Sequence, residues 1–98
     1  MRLDDQELSA IKAAISGEEV REVYLFGSRA DDSKRGGDID MLVYSQERPF
    51  DLSLRISSRF FAECEEKIDV VVVDPNNLTA NQSLFIEEIF SQNVVRIL

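Results

Sequence analysis

The stretch that decides the fold is Leu25-Phe26-Gly27-Ser28-Arg29-Ala30-Asp31-Asp32-Ser33-Lys34-Arg35-Gly36-Gly37-Asp38-Ile39-Asp40-Met41-Leu42-Val43. An apolar run stops at Gly27. A polar segment with glycines at both ends follows, and a second apolar run begins behind Asp38. The pattern reads as strand, loop, strand, with room for one short helix after Ser28. The first strand is expected over residues 19–26. Its last residues are all apolar, which suits a strand covered on both faces. The second is expected over residues 38–44.

Working outward, residues 4–16 read as a helix, because Leu8, Ile11, Ala14 and Ile15 recur at helical spacing. Asp4 or Asp5 can cap its start and Gly17 can end it. A second helix is expected over residues 51–65, with Leu52, Ile56, Phe60 and Cys64 in one apolar row and Arg55, Arg59 and Glu63 in a more polar one. Residues 67–73 form a third strand, stopped by Asp74-Pro75-Asn76-Asn77. Residues 79–91 form a third helix whose Phe85, Ile86, Ile89 and Phe90 are expected in the core, since a small domain needs its large side chains there. Residues 94–98 can add a short strand. This order predicts an α/β (α+β) domain, a small mixed β-sheet flanked by helices, with the helices on one side. Residues 1–98 make one domain without internal repeats.

Composition narrows the chemistry. Eleven basic residues against nineteen acidic ones give a net charge of −8. General nucleic-acid coating needs a basic face, so that role is excluded, whereas a nucleotide ligand needs only a few local cations and a metal. There is no histidine, which removes histidine general bases and mixed His/Cys zinc sites. The single cysteine, Cys64, can form no internal disulfide and fits a reducing cytoplasm. No signal peptide and no apolar stretch of membrane-spanning length stand in the sequence, so no membrane partner is expected. Any catalysis must rest on carboxylates and a metal.

Three features converge on such a site. Gly27-Ser28 ends a strand, where glycine lets backbone approach a ligand, Ser28 supplies a hydroxyl, and Arg29, Lys34 and Arg35 add positive charge. Asp38 and Asp40 flank Ile39, and period-two alternation puts both carboxylates on one face of a strand. Like charges at that spacing repel unless a cation screens them, and carboxylates with phosphate oxygens suit Mg2+. Asp69 interrupts an otherwise apolar strand, where a carboxylate is disfavoured unless paired, metal-bound or exposed. Together they fit attack on an α-phosphate. Asp38, Asp40 and Asp69 would hold metal, Asp69 would help remove the acceptor's proton, and Gly27 and Ser28 would cradle the leaving phosphates.

The Gly-Ser, the following Asp-x-Asp, and the later Ile68-Asp69-Val70 resemble the signature of the minimal nucleotidyltransferases of the DNA polymerase beta-like superfamily. The resemblance spans essentially the whole chain. It implies a nucleotidyltransferase fold and transfer of a nucleoside monophosphate, AMP from ATP, with two Mg2+ ions held by Asp38, Asp40 and Asp69. Gly27, Ser28 and Arg29 would bind the nucleotide. It also implies a helical HEPN-domain toxin as partner in a hetero-oligomer, with a toxin tyrosine as acceptor and an antitoxin role for this chain. Nine residues separate Ser28 from Asp38, one fewer than the commonest family spacing, Asp31 and Asp32 follow Arg29-Ala30, and Gly37 stands where the family often has serine.

Other readings are weaker. A receiver domain needs more alternating strand–helix units than this chain holds. A Toprim-type site expects a glutamate ending the first strand, where Phe26-Gly27-Ser28 stands. A binding module that neutralises a basic partner by contact alone is the rival from another class, with the last helix as its surface. Arg55 and Arg59 could touch a partner or nucleotide, or form a solvated face with Arg59 paired to Glu63.

Overall fold

The computed structural model describes residues 1–98, in the order α1 (Asp5–Ile15), β1 (Glu22–Phe26), a 3-10 turn (Gly27–Ala30), β2 (Ile39–Tyr44), α2 (Pro49–Glu63), β3 (Ile68–Val73), α3 (Ala80–Phe90) and β4 (Val95–Arg96). Every expected element is present. The short helix begins at Gly27 rather than after Ser28, and α2 begins two residues early because Pro49 is preorganised for a first helical turn. Asp4 caps α1 in a reciprocal box with Glu7, and Thr79 does the same for α3 with Gln82.

The strands form one mixed sheet in the order β3-β2-β1-β4. β1 runs antiparallel to β2, placing Phe26 opposite Asp40, and β2 runs parallel to β3, placing Asp40 opposite Asp69. β4 pairs briefly with β1, Tyr24 facing Arg96.

Alternation along the strands divides the sheet into two faces. Val23, Leu25, Ile39, Met41, Val43 and Val72 pack with Ala10, Ile11 and Ala14 of α1 and Leu52, Ile56 and Phe60 of α2. Cys64 lies in this main core, where burial pushes its thiol pKa up. Tyr24, Phe26, Leu42, Tyr44, Val71 and Val73 point the other way, toward Ile86 and Ile89 of α3. Helices therefore lie on both faces, not on one as expected. The parallel β2–β3 crossover puts α2 on one face, and the opposite face of β1–β3 is too apolar to stand bare.

α3 covers that second face thinly. Of its residues only Ile89 is fully buried; Ile86 packs half-buried against it as expected, whereas the expectation that Phe85 and Phe90 are core residues is corrected. Phe85 meets Phe26 edge-on at 6.0 Å and Phe90 meets Tyr24 at 5.0 Å, each with its outer side in solvent. Leu84 is 65% exposed.

Candidate active site

Asp40 and Asp69 are direct partners across the β2–β3 ladder. Adjacent strands lie about 4.8 Å apart, and paired residues point to the same face, so the two carboxylates share one patch of surface. Asp40 is half-buried and Asp69 is exposed. β3 is an edge strand, and α3 shelters Val71 and Val73 but stops short of Asp69. Burial raises the Asp40 carboxyl above its ordinary pKa, and the negative charges of Asp69 and then Asp38 add to the effect.

Asp38 stands just before β2 with its Oδ2 3.6 Å from Nζ of Lys67. As placed, no three acidic, cysteine or histidine side chains are close enough to chelate one ion together. The fold thus pairs Asp40 with Asp69, while Asp38 leans toward a lysine at the mouth of the patch. The donor chemistry fits a divalent cation nonetheless. Hard carboxylate oxygens of Asp40 and Asp69 share one face, Asp40 is held at a cost in its charged form, and Lys67 pairs with the neighbouring Asp38.

Two glycines bring Ser28 to this patch. Gly27 has φ +73°, and a Cβ there would lie 2.5 Å from Oδ2 of Asp40. Gly37 has φ +89°, and a Cβ there would run into Oγ of Ser28. Glycine at 37, in place of the family's frequent serine, thus goes with a Ser28 folded tightly over the loop. The turn after Gly27 is a single four-residue 3-10 segment, so any phosphate grip rests on the Ser28 hydroxyl and local amides rather than on a helix dipole.

Arg29 is committed elsewhere. Its Nη1 donates to both oxygens of Glu7 at 3.0 and 3.1 Å and to the Arg2 carbonyl at 3.0 Å, while Nε donates to the Gly37 carbonyl at 3.0 Å. The basic side chain beside Gly27 is Lys34. With Gly27, Asp31, Ser91, Gln92 and Asn93 it lines a polar cleft of about 430 Å3. A smaller depression of about 240 Å3, lined by Phe26, Phe85, Glu88 and Ile89, opens from the same glycine and shares Gln92. Asp31 borders the polar cleft. Hydrogen bonds from the Ser33 hydroxyl at 2.6 Å and amide at 2.9 Å hold its carboxyl below the usual range. Asp32 points to the Met1 amino group.

Arg55 and Arg59 take no part in this patch. Both bind Glu18, at 3.1 and 2.8 Å, and Glu63 is not their partner. Two residues that matter for the loop went unnoticed in the sequence, Arg2 and Glu7. The Asp4-x-x-Glu7 box was a visible signal for a capping glutamate. Its pairing with Arg29, twenty-two positions away, has no local signature.

A mixed four-stranded sheet with helices on both faces, a Gly-Ser turn ending its first strand and aspartates paired on the next two, defines a nucleotidyltransferase-type α+β domain. Residues 9–95 match the family model described as polymerase beta, nucleotidyltransferase, and the chain belongs to that family. Among solved structures it is similar to a chain in the crystal structure of the toxin–antitoxin MntA–HpeT, a mutant in which two aspartates are exchanged for glutamates. The TM-score is 0.65 at 11% identity, over 98% of this chain and 73% of that one. At that identity the likeness is one of fold. No curated protein matches the sequence.

Proposed function

We propose that this chain is a divalent-cation-dependent nucleotidyltransferase that moves AMP from ATP to a hydroxyl on a partner protein. The acceptor is a tyrosine of a helical HEPN-domain toxin, and the transfer makes the chain an antitoxin. The observation that carries the reading is the Asp40–Asp69 pair lying against the Gly27-Ser28 turn.

In the reaction the acceptor oxygen bonds to the α-phosphorus, the bond to the bridging oxygen of the β-phosphate breaks, and pyrophosphate leaves. Asp38, Asp40 and Asp69 would hold Mg2+, which when bound neutralises charge developing on the phosphoryl oxygens and acidifies the acceptor hydroxyl. Asp69, exposed on its edge strand, would take the acceptor's proton. Gly27 lets the Asp40 carboxylate pack against the turn, the Ser28 hydroxyl can donate to a phosphate oxygen, and Lys34 lines the cleft that would receive the triphosphate. A protein acceptor is supported by the exposed apolar Leu84 and Phe85 on the helix that borders this cleft. It is supported too by the fold shared with a toxin–antitoxin chain.

The same exposed helix favours a second reading, neutralisation by contact alone. The two part on one experiment. With Mg2+, labelled ATP and the folded partner, wild type should label the partner and Asp40→Asn should not. Suppression of toxicity by Asp38→Asn/Asp40→Asn, with the complex intact, would favour contact alone.

A further inference from the structure

The ends of the loop that carry Ser28 and Asp38 are tied together from outside the site. Arg2 donates from Nη2 to the Ser28 carbonyl at 2.8 Å and to the Gly36 carbonyl at 2.7 Å, and from Nε to the Asp31 carbonyl at 3.0 Å. Arg29 joins the next rung, reaching the Gly37 carbonyl at 3.0 Å. The two arginines also pair through their backbones, the Arg2 amide donating to the Arg29 carbonyl at 2.7 Å. Glu7 seats the assembly on α1. Glu7 is 5% exposed, and its carboxylate accepts from Arg29 through both oxygens and from the Asp4 amide at 2.9 Å, and so belongs at once to the helix cap and to the loop.

We propose that Glu7, Arg29 and Arg2 are positioning residues that set the separation of Ser28 and Asp38, and through it the grip on the donor nucleotide. The proposal rests on the nucleotidyltransferase reading above. Its physical basis is loop entropy. A polar loop with two adjacent glycines, Gly36 and Gly37, has many conformations, and without cross-links the serine at one end and the aspartate at the other would wander independently. Two guanidinium groups, each a rigid fork of several donors, close residue 28 onto 36 and residue 29 onto 37. A lysine could make one of these contacts at a time but not the set. Because none of the three side chains needs to touch the nucleotide, loosening them should weaken its binding more than it slows the bound complex.

The test combines two variants with two readouts. Arg2→Lys keeps the charge and removes the fork. Glu7→Gln keeps an oxygen for the Asp4 amide and removes the ion pair with Arg29. Hydrogen–deuterium exchange should show the amides of residues 28–38 exchanging about ten-fold faster in both variants, while those of β2 and β3 keep wild-type rates. In the labelling assay KM for ATP should rise about ten-fold, with kcat within about three-fold of wild type. Faster exchange across the whole sheet with KM unchanged would make the network merely structural and overturn the proposal. So would unchanged exchange in the loop. If Glu7→Gln fails to fold, Arg2→Lys decides alone. If wild type neither binds nor transfers nucleotide, the catalytic reading falls, and the exchange rates still decide whether the clamp orders the loop.

Discussion

Asp40 and Asp69 oppose each other across a parallel ladder, and Asp40 also lies against the Gly27 backbone. Two carboxylates in one patch with little compensating charge make the site a point of electrostatic strain in the cation-free protein. Because the Asp40 pKa is raised on folding, the folded state holds this proton more tightly than the unfolded chain. Stability from this group is therefore lost as pH rises from its ordinary value of 3.8 through the raised one. Asp40→Asn should raise the melting temperature in metal-free buffer at pH 7 by about 2–5 °C, with the gain shrinking toward pH 4. Added Mg2+ should stabilise wild type and leave the variant unchanged, which thermal melts with chelator or Mg2+ will read.

Gly27 and Gly37 should tolerate no side chain. Gly27→Ala forces a methyl onto the Asp40 carboxylate, and Gly37→Ser presses one onto Ser28, each at a positive φ. Each should cost about 1–3 kcal/mol in urea unfolding and remove transferase activity. A Gly37→Ser protein with wild-type stability and activity would show that the loop does not hold Ser28 as described.

The Glu18 cluster gives a pH dependence of the opposite sign. The Arg55 hydrogen bonds hold the Glu18 carboxyl below its ordinary value of 4.5, partly offset by burial and helped by the charges of Arg55 and Arg59. Its contribution is present above that value and lost as pH falls through the lowered one. Glu18→Gln should therefore melt a few degrees below wild type at pH 7, and the two curves should converge as the pH drops below 4. Transferase activity at 25 °C should not change, since the cluster stands apart from the aspartates.

Leu84 offers a separation of stability from association. It is 65% exposed, so Leu84→Ser should leave the melting temperature within about 2 °C of wild type. The same change should weaken binding to the proposed toxin partner by about ten-fold in titration calorimetry, the scale of one lost apolar contact at an interface. Unchanged affinity would place the partner on another surface.

Much of this was legible in the chain. Hydrophobic spacing fixed α1, α2 and the three main strands within a few residues, since those elements bury regular apolar rows. The glycine-bounded loop marked the Gly27-Ser28 turn, and alternation put Asp40 on a definite face. Long-range choices were not legible. Phe85 and Phe90 looked like core because apolar spacing does not reveal how much sheet remains to be covered. Arg29 looked like a phosphate ligand because its buried partner, Glu7, is distant in sequence. Arg59 was given Glu63 one turn away, but Glu18 from another part of the chain outcompetes a solvated neighbour. Local pattern names the elements, while ion-pair partners are chosen by the assembled surface.

The most direct test is intact-mass spectrometry of the proposed toxin partner after incubation with this protein, ATP and Mg2+. The account predicts a mass increase of one adenylate on the partner with wild type and none with Asp40→Asn or Asp69→Asn of equal folded stability. An unmodified partner in a stable complex with wild type, or equal modification by wild type and Asp40→Asn, would contradict it.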